Sequence, residues 1–239
     1  MLNEYLQSRS IGDFLKAVYT LQIAGEPAGE ESDDDARVST NALAEYLSIS
    51  APSVTDMARR MEELGLVDYR KYRGVRLSAD GEAMALHLIR RHRLIELYLV
   101  QELGYALHEV HDEAEVLEHA VSDRFINTIF EKLGRPTHDP HGDPIPTPEG
   151  KVARRNLTRL TEIPLDTLAI VRRYNTQNNE LIAHILERGF VLGAQVTVTA
   201  RDPFDGPVTS QVNEETSVLG HHAATCIMVE LDKKKPRRR

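Results

Sequence analysis

With 239 residues, 41% of them hydrophobic and 28% charged, the chain has the make-up of a globular protein large enough for two or three small domains. Its single cysteine, Cys226, excludes an internal disulfide framework and a thiolate zinc cluster. No apolar run reaches the ~20 residues of a membrane span and the start lacks a charged-then-apolar leader, so a cytoplasmic protein without a membrane partner is expected. The formal net charge of −8 argues in bulk against a nucleic-acid partner. The charges are segregated, however. Acids gather at Glu26, Glu30, Glu31, Asp33, Asp34 and Asp35. Bases gather at Arg59, Arg60, Arg70, Lys71, Arg73 and Arg76, and again in the tail from Lys233 to Arg239.

Taken in order, residues 11–23 read as a helix with Ile11, Phe14, Leu15 and Val18 on its apolar face. A polar, Gly- and Pro-punctuated loop follows. Ser39 or Thr40 can cap a short helix bearing Leu43, Ala44 and Leu47. After a tight turn, Ser50 caps a second helix whose Pro52 sits in the first turn, where a missing N–H costs nothing. Val54, Met57, Ala58, Met61 and Leu64 then recur at helical spacing, and Gly65 can end the helix in a left-handed conformation. The opposite face carries Ser53, Thr55, Asp56, Arg59 and Arg60. Residues 66–77 read as two short strands turning around Arg73-Gly74. Helix, turn, helix and basic hairpin is a winged helix-turn-helix order. It points to a double-stranded DNA partner, with the second helix's N-terminus at a major groove and Arg60 and Arg73 on phosphate; the candidate DNA-binding residues are Ser50, Pro52, Ser53, Thr55, Arg59, Arg60 and Arg73.

Ser78 caps a long helix through about Leu103, on which His92 and Glu96 form an i, i+4 pair. A second helix is expected over residues 107–133, with Ala120, Val121, Phe125, Ile129 and Leu133 available for packing. These two helices carry more apolar surface than one subunit covers, which suggests a homodimer seam. Residues 134–150 form a linker or ordered loop. The last part changes character: a helix at 178–186 and β-type segments at 196–199, 208–212 and 226–231 suggest a small SH3-like barrel. The fold class is therefore mainly α with a small β part. Its expected divisions are a winged helix-turn-helix domain at 1–77, a helical metal-binding and dimerisation domain at 78–150, and a barrel with a basic tail at 151–239.

Within the second long helix, His111, Glu115, Glu118 and His119 fall on one stripe, because positions i, i+4, i+7 and i+8 project together. Two imidazoles and two carboxylates on one strip suit a divalent ion, hard enough for manganese or ferrous iron. A solvated acidic face would show the same spacing.

Five segments carry the pattern: Arg91-His92-Arg93-Leu94, Val110-His111-Asp112-Glu113-Ala114, Glu118-His119, Ser122-Asp123 and the loop His141-Gly142-Asp143-Pro144-Ile145-Pro146. With them, the chain resembles the diphtheria toxin repressor and manganese transport regulator family of metal-dependent repressors over nearly its whole length. The resemblance implies a primary metal site of Asp13, Glu115, Glu118 and His119, and an ancillary one using His92, Glu96 and His111. It also implies a FeoA-like accessory barrel. Iron-responsive members place methionine at the position of Asp13 and cysteine at that of Glu115. Carboxylates at both suit Mn²⁺, with Fe²⁺ the alternative. Two departures stand out. Lys16 replaces an additional carboxylate ligand of the two-domain manganese regulators, and Asp56 places an acid in the recognition helix. Asn178 and Glu180 are candidates for a ligand from the barrel.

The expected function is thus a manganese-dependent, DNA-binding repressor of metal-uptake genes, acting as a homodimer and not as an enzyme. An iron(II)-dependent repressor of the same family is the alternative. The rival class is a helical carboxylate–histidine metalloenzyme. Such enzymes repeat Glu-x-x-His on two helices, whereas this chain offers Glu115-x-x-x-His119 once. A third reading is a metal-independent winged-helix adaptor.

Overall fold

The computed structural model describes residues 9–25, 37–153, 155–176 and 178–232, so the acidic segment 26–35 and the basic tail 233–239 lie outside the described residues. Two compact units emerge: residues 1–95, 114–132 and 145–152 form one, and residues 96–113, 133–144 and 153–239 the other.

In the first unit, α1 (Arg9–Gly25) buries Ile11, Phe14, Leu15 and Val18, as its periodicity predicts. Helix α2 (Thr40–Leu47) starts at Ser39, whose hydroxyl accepts from the Ala42 amide at 3.1 Å. It stops at Ser48, a left-handed residue with φ 53°. Helix α3 (Ala51–Glu63) begins at Ser50, which accepts from Ser53 N at 3.3 Å, with Pro52 in the first turn. Gly65 follows with φ 73°. Strands β1 (Val67–Arg70) and β2 (Gly74–Leu77) pair antiparallel, Val67 opposite Leu77 and Tyr69 opposite Val75. Val38 adds an edge through paired 2.8 Å bonds with Val75. That edge fixes Gly74, because a Cβ there would run into the Val38 carbonyl. Met61, Val54, Leu43, Val75, Phe14 and Leu88 then form one core.

Helix α4 (Ala79–Leu103) is capped by Ser78, whose hydroxyl accepts from Gly81 N at 3.1 Å and donates to Gly65 O at 2.7 Å. The division between units falls within this helix, after Ile95. The single helix expected over residues 107–133 is instead two, α5 (Val110–Ala120) and α6 (Asp123–Lys132). The break has a local cause. Ser122 turns its hydroxyl back to accept from Phe125 N at 3.2 Å, an N-cap that competes with helix continuation. Val116 and Phe125 are left exposed on these helices, at 59% and 42%.

The second unit is built on a six-stranded antiparallel sheet in the order β3-β8-β4-β5-β6-β7. Its strands are β3 (Thr158–Arg159), β4 (Leu168–Tyr174), β5 (Gln195–Arg201), β6 (Val208–Val212), β7 (Glu215–Leu219) and β8 (Ile227–Leu231). Helices α7 (Asn179–Glu187) and α8 (His221–Thr225) complete this small SH3-like unit. Strands β3, β4 and β7, and helix α8, were not anticipated from sequence. In β4 only alternate residues are buried, and Arg172 and Arg173 interrupt the apolar pattern where the register shifts. The core gathers Tyr174, Phe190, Val196, Val198, Ile227 and Val229, and Cys226 lies with them. Tyr174 donates its hydroxyl to Phe190 O at 2.8 Å.

Residues 134–150 are an ordered loop in the part that belongs to this unit. Asp139, 5% exposed, accepts from the amides of His141 at 2.9 Å and Asp143 at 2.8 Å, closing a tight turn. The His141 carbonyl accepts from Tyr174 N at 3.0 Å, which pins the loop to β4. Gly142 has φ 88°, and a Cβ there would overlap the Arg172 carbonyl. Gly142→Ala is therefore expected to cost about 1–3 kcal/mol or more, combining backbone strain with that overlap. Gly104→Ala has a similar φ of 73° but meets nothing within 4 Å, so it should cost less. Thermal unfolding of the two variants checks this, and equal losses would discount the loop's docking on β4.

Candidate metal centre

Helix α5 delivers Glu115, Glu118 and His119 to one side, and α1 brings Asp13 against them. One ligand atom from each of these four residues lies within 4.8 Å of the others. All four belong to the first unit. Glu118 is the pivot at 1% exposure. Its Oε1 accepts from Lys16 Nζ at 2.6 Å and lies 3.3 Å from His119 Nε2, while its Oε2 is 2.7 Å from His92 Nδ1. Lys16 Nζ also donates to Glu115 Oε1 at 2.7 Å and lies 3.5 Å from Asp13 Oδ1.

Electrostatics follow from this packing. Burial pushes the Glu118 carboxyl up, but the hydrogen bond and charge of His92, with Lys16 beside it, hold it below the usual range. Burial pulls the Lys16 ammonium down, and Glu118 and Glu115 more than offset that. Asp13 is raised chiefly by burial, against the opposing pull of Lys16. A cluster that already accommodates one cation among three carboxylates fits a divalent ion by charge and by donor chemistry. Gly12 contributes by absence, since a Cβ there would come within 3.1 Å of His119 Cε1.

Arg91, whose role sequence reasoning missed, braces the helix that carries the candidate ligands. Its buried guanidinium donates to Glu118 O at 3.0 Å, and to Val121 O and Asp123 Oδ1 where α5 gives way to α6. Three bonds from one rigid fork fix the end of the helix that carries Glu118 and His119.

The residues expected to form the ancillary site divide between the units. His92 belongs to the first and contacts Glu118; Glu96, one turn further along α4, and His111 belong to the second. There His111 Nδ1 lies 3.4 Å from Glu96 Oε1. His141 joins them from the pinned loop, its Nε2 3.9 Å from the same oxygen. Sequence spacing could not place His141, because loop docking on β4 brings it there; the motif His141-Gly142-Asp143 was the available signal. Asn178 is occupied as the N-cap of α7, accepting from Leu181 N at 2.9 Å, and Glu180 lies in that helix's first turn.

The expected DNA-facing residues lie on α3 and the hairpin. Pro52, Ser53, Arg59 and Arg60 are exposed. The Ser50 and Ser53 hydroxyls are 2.8 Å apart, and Thr55 donates to Ala51 O at 3.0 Å, so all three are engaged locally. Asp56 lies 3.9 Å from Arg59. In the hairpin, Asp68 draws in Arg37, Arg70 at 3.6 Å and Arg76 at 4.0 Å. The hydrogen bond from Arg37 holds the Asp68 carboxyl below its usual range. The hairpin's charge is thus partly internal, and the bases at its tip are Lys71 and Arg73. Among the described residues, no helix is long and apolar enough to cross a membrane.

Comparison with known proteins gives three consecutive matches. The family described as the iron dependent repressor, N-terminal DNA binding domain, matches residues 7–75. The iron dependent repressor, metal binding and dimerisation domain, matches residues 78–147, and the FeoA domain residues 158–231. The iron-dependent repressor IdeR of Mycobacterium leprae (strain TN) is 34% identical over 200 residues, covering 79% of this chain and 86% of that protein. A solved manganese-dependent transcriptional repressor in complex with manganese superposes with a TM-score of 0.80 at 39% identity, over 92% of this chain and 98% of that one. The manganese regulator SloR gives a TM-score of 0.71 at 30% identity, over 93% and 98%. IdeR and the manganese-bound protein are named as repressors, and SloR as a manganese regulator. The chain belongs to the diphtheria toxin repressor and manganese transport regulator family of metal-dependent transcriptional repressors.

Proposed function

We propose that this repressor is activated by Mn²⁺, binds double-stranded operator DNA as a homodimer and controls metal-uptake genes. The observation that carries the choice of metal is the donor set: three carboxylates and one imidazole within 4.8 Å, without sulfur. Cys226 is buried in the core of the second unit, and no methionine is among the four. Oxygen ligands suit Mn²⁺, whereas thiolate and thioether favour softer ions. An iron(II)-responsive repressor is the second reading, since IdeR is named as iron-dependent.

A bound divalent ion would supply two positive charges and directed coordination to this cluster. The remaining work belongs to the protein. Asp13, on the helix that packs against α2, would be held to Glu115, Glu118 and His119 on α5, which Arg91 braces. The reading head is thereby fixed to the helical segment that also forms the dimer. Two heads so fixed can meet major-groove faces about one helical turn, ~34 Å, apart. Moving the heads from 1:99 to 99:1 in favour of that arrangement needs a differential of ~5.5 kcal/mol. Residues 1–77, 78–150 and 151–239 would act as head, metal-binding dimeriser and accessory barrel. Glu96, His111 and His141 would contribute to the ancillary site.

Three measurements test this. Glu115→Cys exchanges a hard oxygen for a soft thiolate and should shift activation from Mn²⁺ toward Fe²⁺, Co²⁺ or Zn²⁺. The readout is the concentration of each metal giving half-maximal binding to a duplex selected from a random pool, at one ionic strength. An unchanged metal ranking would remove Glu115 from the ligand set. Arg60→Ala and Arg73→Ala should weaken binding across sequences and each flatten the salt dependence by about one counterion. Unchanged affinity and slope in both would reassign the DNA-facing surface. The exposed Val116 and Phe125 lead to the third expectation, that chelated protein at micromolar concentration sediments as a dimer. A monomer that associates only with Mn²⁺ would place metal binding upstream of dimerisation.

A further inference from the structure

Lys16 is not a ligand type, yet its ammonium occupies the centre of the ligand cluster. It lies 2.6 Å from Glu118 Oε1, 2.7 Å from Glu115 Oε1 and 3.5 Å from Asp13 Oδ1, and its side chain is 14% exposed. Three of the four residues proposed to hold the ion are thus the partners of a cation supplied by the chain itself. The placement follows from the helix: Asp13 and Lys16 are three residues apart on α1, so both project toward α5. We infer that Lys16 is a resident competitor for the metal centre, a cation that must leave these oxygens before a divalent ion takes them, and that it thereby sets the metal concentration at which the repressor responds. This rests on the proposed ligand set.

Two physical arguments support competition over assistance. A carboxylate oxygen engaged by an ammonium within hydrogen-bonding distance offers less of its charge to a second cation. A monovalent and a divalent cation sharing the same oxygens also repel strongly at the low dielectric of a buried site. Lys16 also offsets the charges of Glu115, Glu118 and Asp13 where they stand close together. Neutral replacement would leave three carboxylates facing one another, destabilising the metal-free protein and increasing its appetite for cations. Lys16 also bridges α1 to α5, but an ammonium on a flexible four-carbon stem constrains orientation less than coordination through the short Asp13 side chain.

The test measures Mn²⁺ uptake directly, by equilibrium dialysis and by loss of the free-ion paramagnetic resonance signal, with no DNA present. A His111→Ala background keeps the ancillary residues out of the count. Lys16→Met and Lys16→Gln should each tighten Mn²⁺ binding by about tenfold or more, whereas Lys16→Arg, which keeps the charge, should stay near the parent. In chelator the two neutral variants should melt lower than the parent, and saturating Mn²⁺ should restore them. Mn²⁺ affinities equal to or weaker than the parent's in both neutral variants would overturn the inference while leaving the ligand set intact. No uptake by the parent would instead remove the ligand set, and the inference with it.

Discussion

A carboxylate withdrawn from water has to be balanced, and Glu118 is balanced from three directions. Lys16 reaches it from α1, His92 from α4, and His119 stands beside it on its own helix. The first two contacts each join a different part of the chain to α5. A buried charge stripped of such partners costs several kcal/mol, so removing any of them is felt throughout the cluster. This makes the winged-helix segment and the ligand helix parts of one electrostatic arrangement. On the proposed function, a change of cation at this point would be expressed in the position of the reading head.

Arg91 shows how that arrangement is kept in register. Its guanidinium binds the carbonyls of Glu118 and Val121, groups that a helix end would otherwise leave without intrahelical partners. The same residue meets Asp123 as α6 begins. The geometry of the proposed ligands would therefore be set by a residue that donates nothing to an ion, a usual property of sites whose ligands must be held within a fraction of an ångström.

Much of this was legible in the sequence, where local chemistry is strong. Ser39, Ser50 and Ser78 announce their helices through short hydroxyl side chains, and Gly65 through its tolerance of positive φ. The stripe His111, Glu115, Glu118 and His119 follows from helical periodicity. What was hidden depends on tertiary contact. Ser122 carries a cap signal inside an otherwise continuous apolar period, and period outweighed cap in the reading of residues 107–133. Strand β4 is broken in pattern by Arg172 and Arg173, and His141 reaches Glu96 only because Gly142 lets its loop lie on β4. Asp13 came from resemblance, since its spacing within α1 says no more than that it neighbours Lys16. That the Lys16 ammonium sits among the proposed ligands could not be read from spacing at all.

The central claim is that occupancy of the carboxylate cluster and docking on DNA are coupled through one equilibrium. The most direct measurement is the affinity for Mn²⁺ with and without a saturating duplex selected from a random pool, at one ionic strength. Coupled binding free energies are reciprocal. The duplex should therefore tighten Mn²⁺ binding by the same factor by which Mn²⁺ tightens binding of the duplex. A Mn²⁺ affinity that the duplex leaves unchanged would contradict the account.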